Sequence, residues 1–278
     1  MKAAAITCVR NDKVFLDKWI EYYGQALGYE HLYVFLDGMD QPVPSKAELV
    51  NIIQFEHVSI ERTKGDKLRA GMISVQAAEL YKNGYDCVIA LDVDEFLIPD
   101  PDKYSGLFQF LESQQGRYSS VSGLGLDVGQ NLNEEGELDP SEPFLGQRRF
   151  AHLSTRYTKP AISFQPVTWG SGFHRVKGRN FRIHPDLYLF HFGMIDYAMS
   201  TGKTADKDRL ATGWGGHLER REALFKIIAE ATPEPFEATT KKARKTQSLV
   251  RPLYAWNKPS LPGRPRVVEV PERFFGLV

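Results

Sequence analysis

Apolar and polar positions follow two different periods over the first hundred residues. Residues 3–9 form a short apolar run, which predicts a buried strand. Between residues 15 and 27, apolar side chains recur at spacings of three and four, which predicts a helix that Gly28 ends. Residues 31–36 form a second apolar run. This order predicts two parallel strands joined by a right-handed helical crossover.

The same alternation continues to residue 91. The pattern predicts a strand at 50–55 or at 58–61, a helix at 67–83 and a strand at 86–91. Alternating strands and helices are typical of an α/β fold with a mostly parallel central sheet flanked by helices. Such sheets bind ligands at the carboxyl ends of their strands.

The pattern changes after residue 100. We expect a short helix near 107–111, a strand at 119–127, short aromatic strands within 150–193 and a helix at 217–230. Residues 129–147 are acidic and poor in apolar side chains, which predicts a mobile excursion. The second half should therefore form a smaller, mixed region.

Together these elements predict one domain over 1–230, divided near residue 100, and a tail or extension over 231–278. The tail holds several prolines and a basic stretch at 241–245. A tail packed on the domain is expected, and the alternative is contact with a membrane surface.

Residues 213–217 have the composition of a loop that closes over a ligand.

Charge and cysteine content narrow the class of protein. Lys plus Arg and Asp plus Glu both number 35, and this balance argues against a nucleic-acid binder. The two cysteines show no CxxC spacing, and no run of about 18 apolar residues is present. We therefore expect a cytoplasmic protein, with peripheral contact at the inner face of a membrane as the open alternative.

The strongest chemical signal is the acidic triplet formed by Asp92, Asp94 and Glu95, directly after the predicted strand 86–91. Side chains at i and i+2 of a strand point the same way, so Asp92 and Asp94 can converge on one hard cation, Mg²⁺ or Mn²⁺. Three adjacent carboxylates also repel one another unless a counter-charge lies nearby. The alternative is a solvated acidic turn.

Basic residues upstream of the triplet are candidates for binding phosphate. Lys67 and Arg69 lie in the segment 64–69, where a cation can meet a nucleotide. The alternative is a solvated helix start capped by Asp66.

Six segments together carry a family resemblance: 7–12 (TCVRND), 19–23 (WIEYY), 28–37 (GYEHLYVFLD), 91–96 (LDVDEF), 169–175 and 189–193. They resemble family 2-type glycosyltransferases of the GT-A fold, most closely a subgroup with a DxDEF motif. The resemblance is specific over residues 3–100 and looser to about residue 210. It implies a hexosyltransferase-type enzyme that moves a sugar from a nucleoside-diphosphate sugar to a hydroxyl on a glycan or lipid-linked acceptor in polysaccharide synthesis. It also implies Mn²⁺ or Mg²⁺ as cofactor, and it favours inversion of configuration at the sugar.

The resemblance also implies roles for individual positions. It places Asp94 on the metal, Asp92 on the metal and on ribose or diphosphate, and His191 as third metal ligand or diphosphate donor, where a core histidine is the alternative. His174 and Arg175, on a glycine-rich loop, would contact the donor sugar or diphosphate. The residues that would lie near the base or ribose are Thr7, Val9, Arg10 and Asp37.

An inverting transfer needs a carboxylate base, for which Glu95, Asp127 and Asp196 all remain candidates. Two other functions stay open. A sugar nucleotidyltransferase would use similar carboxylates, but the glycine-rich loop expected after its first strand is replaced by Arg10, Asn11 and Asp12. A non-catalytic carbohydrate-binding protein would not need the intact acidic triplet.

Overall fold

The computed structural model of the chain describes residues 1–204, 215–253 and 255–278. Its strands are β1 Ala3–Val9, β2 Leu32–Asp37, β3 Asn51–Phe55, β4 Cys87–Ala90, β5 Glu95–Pro99, β6 Ser120–Gly129, β7 Phe150–Leu153, β8 Ile162–Ser163, β9 Arg182–Met194 and β10 Val267–Glu269. The helices are α1 Lys13–Leu27, α2 Arg62–Lys82, α3 Leu107–Gln114, α4 Phe144–Gln147, α5 Tyr197–Thr204, α6 Gly215–Glu230 and α7 Phe236–Leu249.

The described strands form one sheet in the order β10-β7-β6-β8-β4-β1-β2-β3, and β9 joins it by pairing with β6 and β5. The four strands β3, β2, β1 and β4 are parallel to one another. Beyond β4 the sheet is mixed, because β8 and β7 run antiparallel to their neighbours while β9 is parallel to β6. The predicted α/β fold class, with a largely parallel central sheet flanked by helices, is confirmed.

Successive side chains of a strand point to opposite faces of the sheet, so each face of the parallel half has apolar side chains that pack against a helix. Ala3 and Ala5 of β1 pack in the core that holds Trp19 of α1, whereas Ala4 packs in the core that holds Ile73 of α2. Trp19 and Ile73 are fully buried. Burying a large apolar side chain stabilises the fold by about 1.5–3 kcal/mol. The apolar side chains whose spacing predicts α1 therefore stabilise the fold by packing against the sheet.

Two predictions for the second half are wrong in detail. The segment 129–147 is not a loose excursion, since Phe144 is fully buried and Glu135 accepts hydrogen bonds from the backbone N–H groups of Asn131 and Arg149. Polar groups of the segment form hydrogen bonds with one another, and the low hydrophobicity of the segment does not predict this order. Within 150–193, β7 and β8 are short strands as predicted, but β9 is one long strand.

The segment after residue 230 contributes to the fold. β10 pairs with β7 at the edge of the sheet, and Phe274 is fully buried. Helix α7 was not expected from the sequence because its buried face includes Thr239, Thr240 and Gln247 instead of a run of apolar residues. Within the described parts of the chain, no helix has the length and apolar character needed to cross a membrane.

Both cysteines lie on parallel strands and are shielded from solvent. Cys87 is fully buried on β4, and Cys8 is partly buried near the end of β1. Burial raises the pKa of the Cys8 thiol to about 12 and also raises the pKa of the Cys87 thiol above its usual value. Both groups therefore stay protonated and unreactive at neutral pH.

Candidate active site

A cavity of about 460 Å³ opens at the carboxyl ends of β1, β2 and β4. Its volume lies in the range of small-molecule sites, and its place in the sheet is where α/β proteins bind ligands. The resemblance and the residue patterns together predicted several of the residues that line it. These are Val9, Arg10, Asp37, Arg69, Asp92, Asp94, His174 and His191.

One part of the cavity is built from the turns that follow β1 and β2. Arg10 donates from Nη1 to the backbone carbonyl of Asp37 at 2.7 Å, and its guanidinium pairs with both carboxylate oxygens of Asp40 at 2.9 and 3.1 Å. The Arg10 guanidinium lowers the pKa of Asp40 to about 2. A residue with a Cβ at Gly38, where φ is +127°, would collide with Arg10 and Asp40, so this pairing requires glycine.

The carboxylate of Asp37 points to a second partner, His57, whose Nδ1 lies 2.8 Å from Asp37 Oδ1. Across the same cavity, Asn11 has a positive φ of 56°, and Gln41 holds it there. Gln41 Oε1 accepts from the Asn11 backbone N–H at 2.7 Å, and its Nε2 donates to Asn11 Oδ1 at 2.9 Å. His57 and Gln41 were not predicted as site residues, since neither lies in a recognisable motif.

A buried lysine, Lys159, provides the positive charge that the three carboxylates of the acidic triplet require. Lys159 Nζ lies 3.0 Å from Asp92 Oδ2 and 2.7 Å from Glu95 Oε1, and it donates to the carbonyl of Gly172 at 3.2 Å. The Lys159 side chain is 1% exposed. No sequence pattern indicated Lys159, because it lies in the connection between β7 and β8, outside any periodic element.

Burial and the neighbouring charges shift the pKa values of Glu95 and Lys159 in opposite directions. Burial raises the pKa of Glu95 to about 7, although Lys159 lowers it. For Lys159, burial opposes the charge, but the carboxylates of Asp92 and Glu95 outweigh it and hold the pKa above its usual value. Lys159 is therefore a fixed internal cation that neutralises part of the acidic triplet.

The other part of the triplet forms a candidate metal centre. Asp94, Glu95 and His191 each offer a ligand atom, and these atoms all lie within 4.8 Å of one another. His191 Nε2 is 3.3 Å from Asp94 Oδ2. Two carboxylates and an imidazole are a donor set that suits Mn²⁺ and related divalent ions. The cluster contains Glu95, which also pairs with Lys159, and does not contain Asp92, which was predicted as a ligand.

Strand register explains how residues so far apart in sequence meet. On β9, His191 is opposite Glu95 of β5 and also opposite Asp127 of β6. His191 Nδ1 lies 2.6 Å from Asp127 Oδ1, and the imidazole stacks on Tyr157 at 3.7 Å between ring centroids. Burial lowers the pKa of His191, but the carboxylates of Asp94 and Asp127 raise it more, so the net shift is upward.

The remaining predicted cofactor-binding residues are placed as follows. Arg69 lines the cavity and pairs with Asp66, which also pairs with Arg62 at 3.2 Å. Because α2 begins at Arg62, Asp66 lies inside the helix and does not cap it. Lys67 is exposed and lies outside the cavity lining, and Thr7 is fully buried within β1.

The glycine-rich loop before β9 contributes one residue to the cavity. His174 lines it, with Nδ1 3.0 Å from the carbonyl of Arg156, and burial lowers the pKa of His174 to about 3. Arg175 is exposed and lies outside the lining. Trp169 is buried in the core, where its Nε1 donates to the Pro160 carbonyl at 2.8 Å. In the predicted closing loop 213–217, the first two residues lie outside the described part of the chain, and the rest begin α6.

The three candidate bases differ in their surroundings. Asp196 is buried, pairs with the equally buried Arg148 at 2.9 Å, and accepts hydrogen bonds from the backbone N–H groups of Leu138 and Met199. It lies outside the cavity lining. Glu95 and Asp127 also lie outside the lining, but both lie against His191, which lines the cavity. Glu95 belongs to the candidate metal cluster, and Asp127 Oδ1 contacts His191 Nδ1.

No protein-family model matches the chain, and a search of curated proteins finds no relative. Among solved structures, the chain is similar to a mannose-1-phosphate geranyltransferase from Thermus thermophilus, with 13% sequence identity and a TM-score of 0.32. The match covers 87% of this chain and 68% of that one. Similarity at this level does not bear on function, which rests on the residues of the cavity.

Proposed function

We propose that the protein is a metal-dependent glycosyltransferase that moves a sugar from a nucleoside-diphosphate sugar to a hydroxyl acceptor in glycan synthesis. One observation carries the proposal. A cluster suited to a divalent cation, Asp94 with Glu95 and His191, lies at the cavity into which the turns after β1 and β2 present Arg10 and Asp37. A nucleotide with a diphosphate needs both kinds of contact in one cavity, and the sequence resemblance points the same way.

In this proposal Asp94 and His191 hold the cation, with Glu95 completing the protein ligands. The cation, when bound, supplies positive charge to the diphosphate leaving group. Arg69 also lines the cavity, and its guanidinium adds charge on the phosphate side. Asp37, whose carboxylate is oriented by His57, accepts hydrogen bonds from the nucleoside.

The proton of the acceptor hydroxyl must pass to a base. Asp127 lies against the metal cluster through His191, and Glu95 belongs to the cluster; we retain both as candidates. We infer that Asp196 has a structural role instead, because its carboxylate already balances Arg148 and binds two backbone N–H groups.

Sugar nucleotidyl transfer is the second candidate. It would use the same cluster, and two of the arginines that line the cavity, Arg62 and Arg69, would suit the longer phosphate chain of a nucleoside triphosphate. We place it second because the turn after β1 is built from Arg10, Asn11 and Asp12 and not from a glycine-rich loop.

Calorimetric titration of uridine and guanosine diphosphates, with and without Mn²⁺, tests the site. We expect Mn²⁺-dependent binding that Asp94→Asn weakens by roughly tenfold or more. Asp102→Asn is the matched control, since Asp102 is an exposed carboxylate outside the cavity. Binding that does not depend on Mn²⁺, or that Asp94→Asn leaves unchanged, would contradict the metal role.

Product analysis then separates the candidate reactions. Release of a nucleoside diphosphate from a nucleotide sugar supports glycosyl transfer. Release of pyrophosphate from a nucleoside triphosphate and a sugar 1-phosphate supports nucleotidyl transfer. Metal-dependent binding without either product would favour a non-catalytic carbohydrate-binding protein.

A further inference from the structure

A closed loop follows helix α7 and is fastened to the segment that precedes β9. Its ends meet where the Ser260 backbone N–H donates to the Val250 carbonyl at 3.1 Å. Asn257, which is 3% exposed, donates from Nδ2 to the carbonyls of Val176 and Arg179 at 2.8 and 3.0 Å. The loop is therefore held in place by buried polar contacts on its inner side.

The outer side of the same loop is apolar. Leu253 is fully exposed at 107%, Leu249 is 72% exposed and Trp256 is 58% exposed, and the neighbouring Val250 is exposed as well. Scattered exposed apolar residues need no explanation, but four within eight residues of sequence form a group. Since Asn257 and Ala255 of this loop point inward, the exposure of Leu253 and Trp256 is a consequence of how the loop is anchored.

The surroundings of this group are strongly basic. Segments 175–182 and 241–258 contain four and six cations and no acidic residue, in a chain whose formal net charge is zero. Asn257 joins the two segments through the hydrogen bonds to Val176 and Arg179. On α7, Lys241, Lys245 and Leu249 follow one another at a spacing of four, so they lie along one helix face. The exposed cations are Arg175, Lys177, Arg179, Arg182, Lys241, Lys242 and Lys245.

We propose that these two segments, 175–182 and 241–258, form a docking surface for the anionic face of a phospholipid bilayer. The apolar side chains enter the headgroup boundary, and the cations pair with lipid phosphates. Each basic residue near an anionic membrane adds electrostatic attraction, and burial of apolar area adds to it. A nucleic acid would match the charge but would gain little from Leu249 and Leu253.

The docking surface adjoins the cavity. Arg175, its first residue, directly follows His174, which lines the cavity wall. A bilayer on this surface would hold a membrane-borne acceptor next to the site, which extends the proposed function. The docking itself does not rest on that function, because it is tested without nucleotide or metal.

Co-sedimentation with lipid vesicles tests the proposal. We expect the protein to bind vesicles that contain roughly a third phosphatidylglycerol and not vesicles of phosphatidylcholine alone, with binding that weakens as salt rises. Leu253→Ser combined with Trp256→Ser should weaken binding roughly tenfold, as should Lys241→Glu combined with Lys245→Glu. Leu132→Ser, at an exposed apolar residue outside the docking surface, is the control and should bind normally.

Several outcomes would overturn the proposal. The first is absence of binding to anionic vesicles, and the second is binding that the Leu253 and Trp256 substitutions leave unchanged. The third is a dimer, seen by light scattering, that the same double substitution converts to a monomer, because a second copy of the chain would then be the occupant. All these side chains are exposed, so the variants should keep the melting temperature of the parent protein, which provides the check on folding.

Discussion

His191 donates from Nδ1 to Oδ1 of Asp127 at 2.6 Å, on the side of the ring away from Asp94. Metal-binding histidines usually donate their second ring N–H to a carboxylate, which fixes the tautomer and raises the basicity of the ligand. The strand register that sets Asp127 opposite His191 therefore leaves Nε2 directed at the cluster. We infer that Asp127 positions the metal ligand.

Replacement of Asp127 tests this relationship. We expect Asp127→Asn to weaken Mn²⁺ binding about 10- to 100-fold, because the amide no longer provides a negative acceptor for the His191 N–H. Calorimetric titration with Mn²⁺ measures the effect, and Asp102→Asn again provides a control outside the cavity. If Mn²⁺ binds normally and only turnover is lost, Asp127 is the base and not the positioning residue.

Lys159 should be essential to the folded state near neutral pH. Lys159→Met leaves the buried Glu95 and its neighbour Asp92 without their counter-charge, which should cost about 3–5 kcal/mol of unfolding free energy. Because burial raises the pKa of Glu95 to about 7, the loss should be smaller at pH 5, where that carboxyl is neutral.

Urea denaturation at pH 5 and pH 7.5 measures both effects. Adding Glu95→Gln to Lys159→Met should restore part of the stability, since it removes the unpaired charge. Equal stability of Lys159→Met and the parent protein at pH 7.5 would show that the lysine is not the counter-charge.

The pair of Arg148 and Asp196 offers a way to separate stability from catalysis. Both side chains are buried, so Asp196→Asn should leave Arg148 unbalanced and lower the unfolding free energy by about 3 kcal/mol. Turnover per folded molecule should remain within a few-fold of the parent protein. Turnover that collapses while the melting temperature holds would return Asp196 to the list of bases.

Much of the fold follows from periodicity, and the site follows from it only in part. Asp92, Asp94 and His191 could be found because each lies at or near the end of an apolar strand. That Glu95 is opposite His191 depends on the pairing of β5 with β9, and no local pattern encodes this register. Lys159 was missed for a related reason, although the repulsion among three carboxylates did indicate that some cation had to be present.

His184 should make the fold sensitive to mild acid. It is buried against Phe110 and accepts a hydrogen bond from the Asp186 backbone N–H at Nδ1, and burial lowers its pKa to about 4. Between pH 6.5 and 4 the unfolded chain therefore binds a proton that the folded chain does not, so stability falls as pH falls. From pH 7 to 4.5 this residue should account for about 2 kcal/mol.

The comparison with His184→Gln checks this prediction. A glutamine side chain cannot take up a proton, so the variant should be less stable at pH 7 but should lose less stability on acidification. Parallel pH profiles of the two proteins in urea denaturation would show that another group governs the acid sensitivity.

The low reactivity of Cys8 and Cys87 allows a fluorophore to be attached selectively at one introduced cysteine. Cys87 is fully buried, whereas Cys8 is partly buried and lines the cavity. Because the raised pKa values keep both thiols protonated, maleimide reagents should label the native protein only slowly. A new thiol from Leu253→Cys would then be the dominant target without removal of either natural cysteine. A polarity-sensitive fluorophore attached there would report, in real time, whether the tip of the loop passes from water into lipid.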